Sequence, residues 1–159
     1  MKVEMAAGRS PVRVLTIEQA NALVPELGRR VAELLLRSGR VHGLVGELQS
    51  RAPTATAEPG GHVVDVTMRP GDSSEIRRLK RDIAEGVRGI RRGWSEVEEL
   101  GAVVKDPRTG LVDFYGRVDG RLVCLCWKHP ETSIEHYHEL DAGLAGRKPL
   151  TDVRARTLN

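Results

Sequence analysis

Aromatic side chains are scarce in this chain: one Phe, two Tyr and two Trp in 159 residues, about 3%. A core with so few rings suits packed helices rich in Leu, Val and Ala better than a β-sandwich. Cysteine is scarcer still. Cys124 and Cys126 are the only two, and on a strand this spacing points both side chains the same way, which argues against an ordinary disulfide between them. There is no Cys-x-x-Cys pair, no Gly-x-Ser-x-Gly elbow and no phosphate-cradling Gly loop, so nucleophilic and dithiol redox chemistry have no support. No apolar run approaches the length of a membrane span, and MKVEMAAGRSPVRVL lacks the apolar segment of a secretion signal. The expectation is a cytoplasmic protein whose cysteines are free thiols or ligands.

What is present suits one domain over residues 1–150, with a flexible tail at 151–159. Two long helices are expected, at about 16–49 and 73–100. The first opens on Thr16-Ile17-Glu18-Gln19, a capping box. Its apolar positions (Ile17, Ala20, Val24, Leu27, Val31, Leu34, Val41, Val45, Leu48) step by three and four, as a helical-hairpin seam does. Pro25 should kink this helix or split it. Residues 50–72 are rich in Ala, Pro, Thr and Gly and read as a loop, with Val63–Met68 as a short strand inside it. Asp72 and Glu75 suggest a second capping box. The helix after them carries Gly86, Gly89 and Gly93, which would let a neighbouring helix come close.

Beyond Gly101 the period changes to two. Val103–Lys105, Leu111–Arg117 and Arg121–Trp127 form a three-stranded antiparallel sheet over about 102–128, with Asp119-Gly120 as a hairpin turn. The C-terminal segment 129–150 is ordered, and Thr132–Leu140 is either a strand or a short helix. The fold class is therefore α+β: a long antiparallel helical hairpin and a small sheet. A homodimer completing a four-helix bundle is the expected way to bury the seam.

Chemistry concentrates in residues 110–150, which hold four of the five aromatics, both cysteines, and three of the five histidines. Three readings compete with a purely structural one. In the first, a divalent metal (zinc, iron or manganese) binds His136, His138, Glu139 and Asp113, because His136 and His138 share a face if their segment is extended. Cys124 and Cys126 are less certain members, since buried free thiols commonly act as small hydrophobes. In the second, Asp113, Glu131, His138 and Arg147 form a ligand pocket, with His138 moving a proton and Arg147 holding an anion. Such residues also gather in structural ion-pair networks. In the third, the second helix uses Arg77, Arg81, Arg88 and Arg92 to meet nucleic acid, the ribosome or an acidic protein. The net charge of +3 and pI near 9.1 favour that only weakly, and Asp82, Glu85 and Glu96 interleave as on a solvated helix face.

The segments LTIEQANALVPEL, ELGAVVKDPRTGLVDF, LVCLCWKHPE and HYHELDAGLAGRKPL together resemble a widespread bacterial family known only as domain of unknown function 2203. The resemblance implies two helices with a compact β region, and no established activity. It marks Asp113, Trp127, Glu131, His138, Gly143, Gly146 and Arg147 as characteristic positions. His136 stands where the family pattern implies an aromatic or aliphatic residue, so a site requiring His136 would not belong to the family as a whole.

Overall fold

The computed structural model describes residues 13–53, 64–151 and 153. The expected tail at 151–159 lies almost wholly outside them, as does the start of the strand expected at Val63–Met68, of which only a bridge at Val64 is seen. The elements run β1 (Val14–Leu15), α1 (Ile17–Arg51), α2 (Ser74–Glu99), β2 (Ala102–Asp106), β3 (Leu111–Val118), β4 (Arg121–Lys128), β5 (His136–His138) and β6 (Lys148–Pro149). Contacts divide the chain into two compact units, residues 33–93 and the remainder, with α1 and α2 contributing to both. No helix among the described residues is long and apolar enough to cross a membrane.

The start of α1 follows from its capping box. Gln19 N–H donates to Thr16 Oγ1 (3.1 Å) and Thr16 N–H donates to Gln19 Oε1 (2.9 Å), satisfying two helix-end donors reciprocally. Pro25 does not split the helix, contrary to one expectation: α1 continues unbroken to Arg51. Proline removes one ladder hydrogen bond, and burial of the stripe around it outweighs that loss. The cap of α2 also differs from expectation by one residue. Ser73, not Asp72, accepts the N–H of Ile76 (3.2 Å). Asp72 instead accepts from Lys80 Nζ (2.8 Å), whose side chain is 2% exposed and also donates to the Thr67 carbonyl (2.8 Å). A buried ammonium is tolerable only with such partners.

Within the 33–93 unit, Leu48, Leu79 and Ile83 form the core, with Val41, Leu44, Val45 and Ile76 packed around them. The glycines of α2 do face α1 there: a Cβ at Gly86 would run into Val41, and one at Gly93 into Leu34. Small residues at these positions let the two backbones approach.

In the other unit, Ala20, Val24, Leu27 and Val31 of α1 form a buried stripe, 0–4% exposed. The sheet has six strands in the order β1-β3-β4-β5-β6, with β2 also pairing β3. This corrects the expectation of three. The missed strands β1 and β6 are two residues long, too short for alternation to show in sequence, and β5 answers the choice between strand and helix that Thr132–Leu140 left open. β1 pairs with β3 in parallel and the other pairings are antiparallel. The β3–β4 hairpin turns on Asp119 and Gly120, both at positive φ (51° and 75°), the backbone a primed two-residue turn requires. That turn fixes Asp113 opposite Cys126 and Tyr115 opposite Cys124. β5 then adds His136 beside Cys126 and His138 beside Cys124, so Thr132–Leu140 contributes a strand, not a helix.

Candidate metal centre

Side chains alternate across a strand, so this register sorts β3, β4 and β5 into two faces. Val112, Phe114, Leu125, Trp127 and Tyr137 share one face, each 0–5% exposed. Asp113, Cys124, Cys126, His136 and His138 share the other. Two cross-strand rows, Asp113–Cys126–His136 and Tyr115–Cys124–His138, lie side by side there. The centre of the polar face is nearly as dry as the apolar one, with Asp113 2% exposed, His138 1%, Cys124 4% and Cys126 0%, while Tyr115 and His136 at the row ends are half-buried.

Asp113 reaches diagonally to His138, with Oδ2 3.1 Å from Nε2. The other ring nitrogen, Nδ1, lies 2.7 Å from the Glu139 carbonyl oxygen. A carbonyl can only accept, so Nδ1 carries a hydrogen. Nε2 then faces a carboxylate oxygen with no hydrogen of its own unless the ring is an imidazolium or Asp113 is a neutral acid. A cation between the two atoms resolves the same conflict. The second carboxylate oxygen, Oδ1, is buried and has no hydrogen-bond partner of good geometry among the described residues, although the Cys126 thiol, a weak donor, interacts with the Asp113 side chain. A buried carboxylate oxygen so weakly partnered is costly.

The Cys124 thiol completes the cluster: one ligand atom each from Asp113, Cys124 and His138 lie within 4.8 Å of one another. Burial, and then the nearby charge of Asp113, push the Cys124 thiol above its ordinary range, while Lys105 acts the other way. The same two causes, joined by a hydrogen bond from the thiol to the Asp113 side chain, push Cys126 up to about 12. Both thiols are therefore protonated at neutral pH, and Cys124 becomes a ligand only when a metal displaces its proton. Lys105 Nζ stands 3.9 Å from Asp113 Oδ2, an ion-pair distance beyond direct hydrogen bonding.

The remaining candidates are arranged differently. Arg147 Nη2 donates to both oxygens of Glu131 (2.8 and 2.9 Å) and approaches the Cys126 carbonyl (3.4 Å). Glu131 also accepts from Lys128 N–H (2.8 Å), and its backbone carbonyl accepts from Trp127 Nε1 (2.7 Å). Glu131 and Arg147 thus clamp the turn after β4, and both oxygens of Glu131 are already engaged. The Glu139 carboxylate pairs with Lys148 and Arg121, each at 3.4 Å, so this residue meets His138 through its backbone alone. His136 lies in the Asp113–Cys126 row with Nδ1 buried and unpartnered, outside the three-residue cluster. Gly143, at φ 59°, precedes the short helical turn Leu144–Gly146 that leads to Arg147. Both ring nitrogens of His138 are occupied, which leaves neither to accept a proton from an outside substrate in this arrangement.

The uncharacterised conserved protein family DUF2203 matches residues 13–150. The chain belongs to this family. The match covers β1 through β6 and therefore all three residues of the cluster. No curated protein and no solved structure matches the chain. Family membership accordingly brings no activity with it, and the functional reading rests on the site's own chemistry. Asp113 and His138 stand out in the sequence; Cys124 stands out less, and Lys105 not at all. The signal for Cys124 was the Asp119-Gly120 turn, which sets the β3–β4 register. Nothing comparable fixed β5.

Proposed function

We propose that this protein binds one divalent metal ion through Asp113, Cys124 and His138. The observation that carries the reading is the buried cluster itself: ligand atoms of Asp113, Cys124 and His138 lie within 4.8 Å of one another, with Asp113 Oδ2 facing His138 Nε2. A metal ion accepts lone pairs from both and from a Cys124 thiolate. The hydrogen bond from Nδ1 to the Glu139 carbonyl is the outer-shell contact that commonly orients a ligating imidazole. A thiolate–imidazole–carboxylate set suits zinc, or iron as the alternative, better than manganese, because a thiolate is a soft ligand. Three protein ligands leave a fourth tetrahedral position for water or a small ligand, and His136 or Glu139 would have to move to fill it.

The test is metal analysis of protein purified without an affinity tag, with and without zinc reconstitution. One equivalent of metal that is lost in Asp113→Asn and His138→Ala supports the reading. Protein that takes up no metal, and whose melting temperature added zinc leaves unchanged, contradicts it.

A second reading has its own support. Residues 33–93 hold 11 of the Lys and Arg and 8 of the Asp and Glu, and so account for the whole formal excess of +3. Arg37, Arg40 and Arg92 line a groove of about 360 Å³ there, and the Arg37 side chain lies across Gly89. We propose this groove as the place where a phosphate backbone would meet the protein, against the opposition of Asp82 and Glu85 in its wall. Salt-dependent retention on nucleic acid, abolished by Arg37→Glu with Arg92→Glu, tests it. A cytoplasmic homodimer also stays a proposal. It is supported by the apolar side chains of Leu36 (64% exposed) and Val87 (42%) on the two helices, and light scattering tests it.

A further inference from the structure

The cation nearest this cluster is a residue of the chain itself. β2 pairs Val104 with Val112 and then Asp106 with Leu111, so Lys105 is the extra residue of a β-bulge and has no opposite number on β3. A bulge is a recurrent device for placing a side chain beside a site. Val103 lies opposite Asp113, and the Lys105 ammonium comes within 3.9 Å of Asp113 Oδ2. Burial differs sharply between the two partners. The Lys105 side chain is 42% exposed against 3% for Asp113. Lysine carries a compact, strongly hydrated charge on a flexible stem, so it can leave for water at low cost.

We propose that Lys105 is a tethered counter-ion of the metal site: it offsets the Asp113 charge while no metal is bound, and an incoming metal displaces it. This rests on the metal reading above. With a divalent ion, two anionic ligands and a neutral imidazole, the centre is already charge-balanced. The ammonium then becomes an excess positive charge beside it. Lys105 thereby weakens metal binding and sets the affinity to a level at which the ion can be exchanged. A unit charge several ångströms from a dication at a partly exposed site changes the binding constant by about tenfold at low salt.

The experiment is zinc binding by competition with a chromophoric chelator at low salt, on the full chain, for wild type, Lys105→Met, Lys105→Arg and Asp113→Asn. Lys105→Met is expected to bind zinc about tenfold more tightly than wild type, with the gap narrowing in high salt. Lys105→Arg, which keeps the charge, is expected to stay near wild type, and Asp113→Asn to bind no zinc. Lys105 is half-exposed, so the Met variant should fold, and far-UV circular dichroism checks that it does. Equal or weaker zinc binding by Lys105→Met, in a protein whose wild type binds stoichiometrically, overturns the counter-ion role and leaves the metal reading standing. No zinc uptake by wild type or Lys105→Met overturns both.

Discussion

Strands β3, β4 and β5 bury an apolar face on one side and, at the centre of the other, a polar cluster just as dry. On one, Val112, Phe114, Leu125, Trp127 and Tyr137 are 0–5% exposed; on the other, Asp113, Cys124, Cys126 and His138 are 0–4% exposed. The apolar face needs no further explanation, since removal of such side chains from water drives folding. The polar face does. Burying a carboxylate and an imidazole works against stability unless their lone pairs and protons are matched, and an apolar pair of similar volume is often neutral or better. The contrast teaches that burial alone accounts for the apolar face, whereas the polar face is where the proposed metal would offset the cost of burying charge.

Four perturbations break or sharpen this comparison. The largest effect belongs to the apolar face. Trp127→Ala removes a fully buried ring and the Nε1–H bond to the Glu131 carbonyl, and is expected to cost about 3–5 kcal/mol in denaturant unfolding. Next comes Asp113→Asn in metal-free protein, expected to cost about 1–3 kcal/mol because His138 loses its charged partner. If the polar face is there for a ligand, Asp113→Leu with His138→Leu should recover much of that loss while zinc uptake stays at zero. A double variant as unstable as Trp127→Ala would make the polar face structural.

The thiols come third. Cys126 has its pKa raised from the ordinary 9.0 to about 12 by burial and then by Asp113. In the unfolded chain it ionises near 9. The sign follows: this contribution to stability is fully present below about pH 9 and is lost as pH rises from there toward about 12. Urea midpoints measured from pH 8 to 11 should fall on the alkaline side, and less so in Cys126→Ala. Iodoacetamide at pH 8 should leave both thiols of the folded, metal-free protein unmodified. The smallest effect is that of Glu131→Gln, about 1 kcal/mol, because its ion pair with Arg147 is 18–30% exposed. Zinc affinity should not change, separating this clamp from the cluster.

How much of this could be read from the sequence differs from element to element. The helices were legible because their apolar period is long and Thr16 and Gln19 form a true capping box. The β3–β4 hairpin was legible because Asp119-Gly120 leaves little choice of turn, and that alone places Asp113 opposite Cys126. β1 and β6 were not, being two residues long, and β5, at three residues, was legible only as one of two alternatives. Thr132–Leu140 stayed open between strand and helix for that reason, and with it the position of His138. The pairing of His138 with Cys124 depends on a register that no tight turn sets, across the seven residues between β4 and β5. His136 does share a face with His138, as an extended segment requires, but it stands one row over, beside Cys126 rather than Cys124. In space Glu139 turns its carboxylate toward Lys148 and Arg121, while Lys105 arrives from a bulge that has no sequence signature.

The most direct measurement is a cobalt titration of metal-free wild type, Cys124→Ser and Cys126→Ser, followed by absorption. The account predicts one equivalent of Co²⁺ with a thiolate-to-cobalt band in wild type and Cys126→Ser, and loss of that band in Cys124→Ser. Absence of any thiolate band in wild type, or its survival in Cys124→Ser, would contradict it.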